Sequence, residues 1–295
     1  MSSCFFGGYS PKIFCQNNNC HHILKISRRK HFVGKVSFWG ASPAEIYFME
    51  IISFGAGGRM EECLRLLRRE WHGTGDIGRL IVLPIPTTKD KKLVTGTDIT
   101  LAEATESVTE DTLVAGYGIP EDVAEGVASR GGSIYDALLD GEFLWENAEM
   151  TAVGAIARII CTEGRQLSDM KVGVVGFGRI GKRLVRHLLY LGAQVRVYSG
   201  NRGALSSLAP YGVEVREYGE MSDIASLDIL INTAPARLLR ESDVKGDGGV
   251  RIIDLASGNF LSGIPRVEKM PSVPSEMFPV SSGRAYAKRI LARLK

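Results

Sequence analysis

The amino-acid sequence predicts an α/β chain of two parallel-sheet domains joined by a long linker helix. Three observations predict it. The 295 residues are enough for about two domains of roughly 150 residues each. One opening, an apolar strand followed by a glycine turn and an amphipathic helix, occurs twice, and strand-like and helix-like segments alternate after each copy. The composition, 44% hydrophobic and 23% charged with 34 glycines, describes a globular chain rich in tight turns and excludes disordered and collagen-like classes. The most apolar stretch, Ala152 to Cys161, is interrupted by Arg158, so no segment reaches the ~18 apolar residues of a membrane helix.

Residues 1–48 read as an irregular, basic N-terminal extension. They hold six basic residues against one acid, Glu45, and three of the five cysteines. The remainder carries 30 basic and 32 acidic residues, a balance that does not call for nucleic acid as partner. Cys15, Cys20, His21 and His22 lack the loop between ligand pairs that a zinc site needs, so no metal is expected. An odd cysteine count without a secretory signal pattern points to a reducing compartment, and cytoplasm is the expected location. The abrupt change of character at Met49 predicts that the functional chain starts there.

Residues 49–145 read as an N-terminal Rossmann-like substrate domain. Its opening, "MEIISFGAGGRMEECLRLLRREW", is a strand, a glycine turn and a helix with apolar residues at helical spacing. Strands are expected at Leu80–Leu83, Leu113–Gly116 and Ser133–Leu138, and a helix at Pro120–Ser129. The loop Pro84–Lys92 lies at a strand's carboxyl end and carries Thr87, Thr88 and Lys89. Hydroxyls beside ammonium groups suit a dicarboxylate substrate, and solvated surface lysines are the competing reading. Residues 146–165 read as the linker helix and residues 283–295 as its C-terminal partner, a pair suited to cleft closure.

Residues 166–282 read as the NAD(P)-binding Rossmann domain. "MKVGVVGFGRIGKRLVRHLL" repeats the first opening 121 residues later, with Met49, Gly55, Gly57 and Leu67 aligned on Met170, Gly176, Gly178 and Leu188. Only this copy completes G-x-G-x-x-G, at Gly176, Gly178 and Gly181; Met60 takes the third glycine's place in the first copy. The three glycines serve a tight turn, close approach of a pyrophosphate, and helix–strand packing, with the phosphates on the helix N-terminus. Phe177, Arg179 and Ile180 complete the expected contact turn. At the end of the next strand, Gln194–Tyr198, an NAD site places Asp or Glu for the ribose; this chain has Ser199, Gly200, Asn201 and Arg202. Without a carboxylate to repel a 2′-phosphate, and with a hydroxyl, an amide and a guanidinium to bind it, NADP(H) is preferred over NAD(H).

Further on, a short helix is expected at Ala204–Ala209, strands at Val213–Tyr218, Asp228–Asn232 and Val250–Leu255, and a helix at Arg237–Val244. Loops at the carboxyl ends of parallel strands edge the ligand cleft, which adds Thr233, Ala234, Pro235, Ala256 and Ser257 to the cofactor site.

The segments "LPIPTTKD" (83–90), "ENAEMTAVGAI" (146–156), "VGVVGFGRIGKRL" (172–184), "INTAPARLL" (231–239), "IIDLAS" (252–257) and "VPSEMFPVSSGRAYAKRIL" (273–291) resemble, in order, those of the dipicolinate synthase family, in its A-type chain. The C-terminal Rossmann domain of that family is similar to those of D-2-hydroxyacid dehydrogenases and adenosylhomocysteinase. Asn147, Thr151, Gly154 and Ile156 match the family's linker-helix motif; Met150 and Val153 replace its proline and glutamate, and Gly258–Leu261 replaces an arginine-proline-glycine-glycine run. The resemblance implies an NADP-dependent oxidoreductase of sporulation. It would convert a dihydrodipicolinate-type compound of lysine biosynthesis to pyridine-2,6-dicarboxylate by loss of water and hydride transfer, with the synthase's flavoprotein-like B subunit as partner and with homo-oligomerisation left open.

Asn147 and Thr151 are the expected catalytic positioning groups, set in a cleft between the halves with Thr87, Thr88 and Lys89. Glu149 lies about 200° round the helix from both and is expected to face away. A hydroxyacid dehydrogenase of other substrate would need a histidine acid/base late in the chain, and the last histidine is His187, early on a helix. The departures at Val153 and Gly258 favour the other alternative, a non-catalytic NAD(P)-binding subunit.

Overall fold

The structure is a computed structural model of the 295-residue chain. It describes residues 14–16, 19–28, 31–41, 46–71, 76–201, 203, 206–244 and 249–294, the first of these up to residue 48 as backbone alone. Two compact units form: Leu144–Phe278 is one, and the residues before it together with those from Pro279 onward are the other.

The first unit is built on one seven-stranded sheet in sequence order: β1 (Phe14–Gln16), β2 (Asn19–Arg28), β3 (His31–Ala41), β4 (Ile46–Phe54), β5 (Arg79–Val82), β6 (Thr112–Gly116) and β7 (Ser133–Asp136). The strands from β4 to β7 are parallel, and β1 to β4 pair antiparallel. The expectation of an irregular extension is therefore corrected. The runs "HHILKIS" and "HFVGKVSFW" are dense in β-branched and aromatic residues, which suit a pleated backbone even without clean alternation. Met49, the expected start, lies inside β4 and pairs with Phe38 of β3.

Between these strands lie α1 (Gly58–Glu70), α2 (Leu101–Ala104) and α3 (Glu121–Ser129). The short α2 is held by a capping box in which Thr100 and Glu103 each bond the other's backbone amide. On α1, Met60, Cys63, Leu64, Leu66 and Leu67 are buried, and Met60, at the third-glycine position, is thus spent on packing. The chain continues into α4 (Gly141–Glu163).

The second unit has a six-stranded sheet of β8 (Lys171–Val175), β9 (Gln194–Tyr198), β10 (Glu214–Arg216), β11 (Ile229–Asn232), β12 (Arg251–Asp254) and β13 (Val267–Lys269). Their order is β10-β9-β8-β11-β12-β13, all parallel. Strand order reverses between β8 and β11, and such a switch point is where open α/β sheets bind ligands. Helix α5 (Arg179–Tyr190) packs Leu184, Val185 and Leu188 with Ala152, Ala155, Ile156 and Ile159 of α4 on one face of this sheet. The other face is covered by Ile224, Leu227, Leu239 and Leu261. Helix α6 (Val273–Met277) follows β13, and Gly154 of α4 meets it so closely that a Cβ there would lie 2.4 Å from Val273.

The last helix, α7 (Pro279–Leu291), belongs to the first unit. Its principal partner is α1. The physical reason is Gly283: a Cβ there would stand 2.5 Å from the Arg59 carbonyl and 3.0 Å from the Cys63 amide, so the backbones meet directly. The expected helix Arg237–Val244 is a single 3-10 turn, Glu241–Val244, because Asp243 accepts from the Arg240 amide at 2.8 Å and closes the turn there. The strand expected at Val213–Tyr218 is confined to β10. Of the short helix expected at 204–209, residues 204 and 205 lie outside the described residues, 206 is helical and 207–208 form a turn. No helix among the described residues is long and apolar enough to cross a membrane.

Candidate functional site

The glycine turn between β8 and α5 divides its work among three glycines. Gly176 adopts φ 94°, and a Cβ there would lie 2.6 Å from Thr233 Oγ1. At Gly181 a Cβ would stand 2.1 Å from the Gly176 carbonyl oxygen, so helix and turn could not close with any larger residue. Gly178 is different: nothing lies within 4 Å of its would-be Cβ. It is the N-cap of α5 and supplies no side-chain cap, so the first-turn amides have no side-chain cap to satisfy them and the positive end of the helix lies behind them. A cofactor pyrophosphate fits this cradle in shape and charge.

The strand-end loops are locked to the turn. Thr233 Oγ1 donates to the carbonyls of Val175 (2.9 Å) and Gly176 (3.4 Å). Asn232 and Asp254 are almost fully buried, and Asn232 Nδ2 donates to Asp254 Oδ1 at 2.8 Å. The Ala234 amide donates to Asn232 Oδ1 (3.2 Å) and the Ala256 amide to Asp254 Oδ1 (3.1 Å). Thr233, Ala234, Pro235, Ala256 and Ser257 thus sit on two loops tied together at the switch point. Sequence reasoning placed these loops at the cleft and missed the pair that shapes them; the signal was a polar residue ending each of two apolar strands.

Phe177 is half-buried, Arg179 exposed and Ile180 half-buried, and Lys182 Nζ lies 5.7 Å from the Phe177 ring centroid. At the end of β9, Ser199 is buried and its Oγ accepts from the Asn201 amide at 3.2 Å. Gly200 is backed by the Tyr218 ring, and Asn201 is exposed. Arg202 lies outside the described residues.

On α4, Thr151 is buried and its hydroxyl donates to the Asn147 carbonyl at 2.8 Å. Its proton is spent inside the helix, which leaves Asn147 the stronger of the two expected positioning groups. Asn147 Oδ1 is buried with no partner among the described residues, an acceptor that a ligand donor would satisfy. Glu149 faces α5, sharing a hydrogen bond with His187 Nε2 at 2.5 Å and lying 3.1 Å from Arg183 Nε.

The first-unit loop departs from expectation. Thr87 is fully buried; its Oγ1 accepts from the Tyr117 amide at 2.7 Å, and its own amide donates to the Tyr117 carbonyl at 2.9 Å. It clamps two strand ends from a fully buried position, and that burial corrects its expected role as a substrate-facing loop donor. Thr88 Oγ1 donates to Asp90 Oδ1 at 3.1 Å in a turn whose carboxylate also accepts from the Lys92 and Leu93 amides. Those backbone bonds lower the Asp90 pKa. Lys89 is exposed.

The comparisons with known proteins agree with this geometry. Residues 149–260 match the NAD-binding domain of the D-isomer specific 2-hydroxyacid dehydrogenase family. The chain is 38% identical over 76 residues to a D-specific alpha-keto acid dehydrogenase of Enterococcus faecium, covering 26% of this chain and 22% of that protein. It is 26% identical over 157 residues to the A-type chain of dipicolinate synthase of Bacillus subtilis, covering 50% of this chain and 52% of that protein. The matches thus span from about a fifth to about half the length of these relatives. The fold is that of the crystal structure of the corresponding dipicolinate synthase chain from Bacillus halodurans, with TM-score 0.67 and 20% identity over 83% of this chain and 97% of that one. The resemblance read from the sequence is therefore the one the comparisons return, in a chain whose second unit carries a dehydrogenase-type nicotinamide dinucleotide-binding domain.

Proposed function

We propose that the chain is an NADP(H)-dependent oxidoreductase forming pyridine-2,6-dicarboxylate from a dihydrodipicolinate-type precursor. The observation that carries this reading is the turn of Gly176, Gly178 and Gly181, open only at Gly178, at a switch point whose β9 end offers Ser199 and Asn201 and no carboxylate. In the reading, Gly178 and the first-turn amides of α5 hold the pyrophosphate, Ser199, Asn201 and Arg202 hold a 2′-phosphate, and the loops at Thr233–Pro235 and Ala256–Ser257 wall the site. The bound dinucleotide supplies a hydride acceptor. The chain's own task is positioning, with the Asn147 amide oxygen accepting from the ring and its cationic residues binding carboxylates, because aromatisation supplies the driving force. Lys89 remains a carboxylate ligand in this proposal. A cytoplasmic setting and a flavoprotein-like B subunit belong to the same reading.

The test is turnover of the precursor with NADP+ and with NAD+, followed by the ultraviolet absorbance of the pyridine product, beside an NADPH titration followed by cofactor fluorescence. Product formation favouring NADP+ is expected. Tight NADPH binding without product, with or without an added B subunit, would support the second reading, a non-catalytic binding subunit. That reading is favoured by the loop Gly258–Leu261, where a glycine at φ 107° stands against the Phe260 ring and no arginine is present.

A further inference from the structure

Arg59 is the second residue of α1 and about 91% buried, being 9% exposed. Its Nε has no hydrogen-bond partner, and no carboxylate pairs with its guanidinium among the described residues. The groups that interact with its charge are Tyr286, Tyr117 and Cys63. Burial pushes the Tyr286 hydroxyl and the Cys63 thiol up, so both are neutral at physiological pH. Burial also lowers Arg59 to about 10, which leaves it charged. A buried guanidinium without an anion pays desolvation with no return, and its planar fork matches an oxyanion.

The surroundings share one place in the fold. Tyr117 follows β6 directly, and the Tyr286 hydroxyl donates to the carbonyl of Leu83, just after β5, at 3.2 Å. Gly57 ends the turn after β4, adopts φ 107°, has nothing within 4 Å of a would-be Cβ, and caps α1 without a side chain. Helix amides without a side-chain cap and an unpaired buried guanidinium therefore meet at the carboxyl-terminal rim of the first unit's parallel strands, where such sheets take ligands.

We propose that Arg59 and the first turn of α1 form a carboxylate-binding site for the dicarboxylate substrate. The proposal rests on the dicarboxylate reading above, and it gives Arg59 the anchoring role that Thr87, buried as a strand clamp, does not have.

The experiment titrates the full chain with pyridine-2,6-dicarboxylate and with inorganic phosphate by calorimetry, and with NADPH separately. Arg59→Gln should weaken dicarboxylate binding at least thirtyfold and Arg59→Lys several-fold, with NADPH affinity within twofold of wild type. In the wild-type chain, the dicarboxylate should slow phenylglyoxal modification of the Arg59-containing peptide, read by mass spectrometry, which keeps the test decisive if Arg59→Gln does not fold. Dicarboxylate binding unchanged by Arg59→Gln, or no protection of Arg59, overturns the assignment and leaves the substrate reading standing. Arg59-dependent binding of phosphate with no response to the dicarboxylate upholds an oxyanion site and overturns the substrate reading. No binding of either anion overturns both.

Discussion

Asn232 and Asp254 end neighbouring parallel strands in register, and the 2.8 Å bond between Nδ2 and Oδ1 ties the two loops at the switch point into one wall. Each oxygen acceptor also takes a backbone amide from its own loop. Replacing Asp254 by Ala leaves Asn232 Nδ2 and the Ala256 amide short of an acceptor in a buried place, a loss of about 2–4 kcal/mol. Asp254→Asn, which keeps one acceptor oxygen, should cost about half as much. Denaturant unfolding of both variants measures this, and equal, negligible losses would show that the loops hold without the pair.

Two glycines of one motif should fail differently. Gly181→Ala puts a methyl group 2.1 Å from a backbone oxygen and should destabilise the second unit by about 2–4 kcal/mol. Gly178→Ala meets open space in the free chain, so stability should change by less than about 1 kcal/mol while NADPH affinity drops at least tenfold. Thermal unfolding and fluorescence titration on the same samples separate the two outcomes. Unaltered NADPH affinity in Gly178→Ala would remove the pyrophosphate from this turn.

Gly283→Ala should loosen the first unit alone. The added methyl group meets the backbone of α1 at Arg59 and Cys63, which costs about 2–3 kcal/mol. Hydrogen exchange of the α1 amides should rise by about two orders of magnitude, at roughly 1.4 kcal/mol per tenfold, with β8 and β11 amides unchanged. Uniform acceleration through both units would contradict this.

The second unit was legible because its signals are local. A glycine turn between an apolar strand and an amphipathic helix has few other uses, and the buried runs of β8, β11 and β12 read directly. The first sheet was legible only from β4 onward, since β2 and β3 gain their order by pairing along their whole length, which no local period records. Side-chain duty was harder. Thr87 reads as a loop donor until Tyr117, 30 residues away, claims its hydroxyl. Arg59 carries no local signal that sets it apart on α1, and it is buried in a unit where α7, more than 200 residues later, meets its carbonyl at Gly283. Long-range partners decide both residues, and spacing does not encode them.

The cofactor preference turns on residues after β9. If Arg202 binds the 2′-phosphate, Arg202→Ala should weaken NADPH by roughly 1.5–3 kcal/mol, the scale of a charge-assisted hydrogen bond, and leave NADH nearly unchanged. Ser199→Ala has a different expectation. Its Oγ already accepts the Asn201 amide, so this change should disturb the turn and weaken both cofactors. Equal losses for NADPH and NADH in Arg202→Ala would make that residue structural.

Asn147 and Thr151, one turn apart on α4, should part company in kinetics. The Thr151 hydroxyl is spent on the Asn147 carbonyl, so Thr151→Val trades an intrahelical bond for a methyl group and should leave turnover within about threefold of wild type. Asn147 Oδ1 is buried and unpaired, an arrangement that costs free energy in the free chain unless a ligand donor completes it. Asn147→Ala should therefore lower kcat for pyridine-2,6-dicarboxylate formation at least tenfold, since a misplaced ring loses rate steeply. It should leave NADPH affinity unchanged and raise stability slightly, because an unsatisfied buried oxygen is gone. Steady-state kinetics with cofactor titration tests the first pair of outcomes, and thermal unfolding tests the third. Unchanged turnover together with raised stability would mark Asn147 as an imperfection of packing and would move ring positioning off α4.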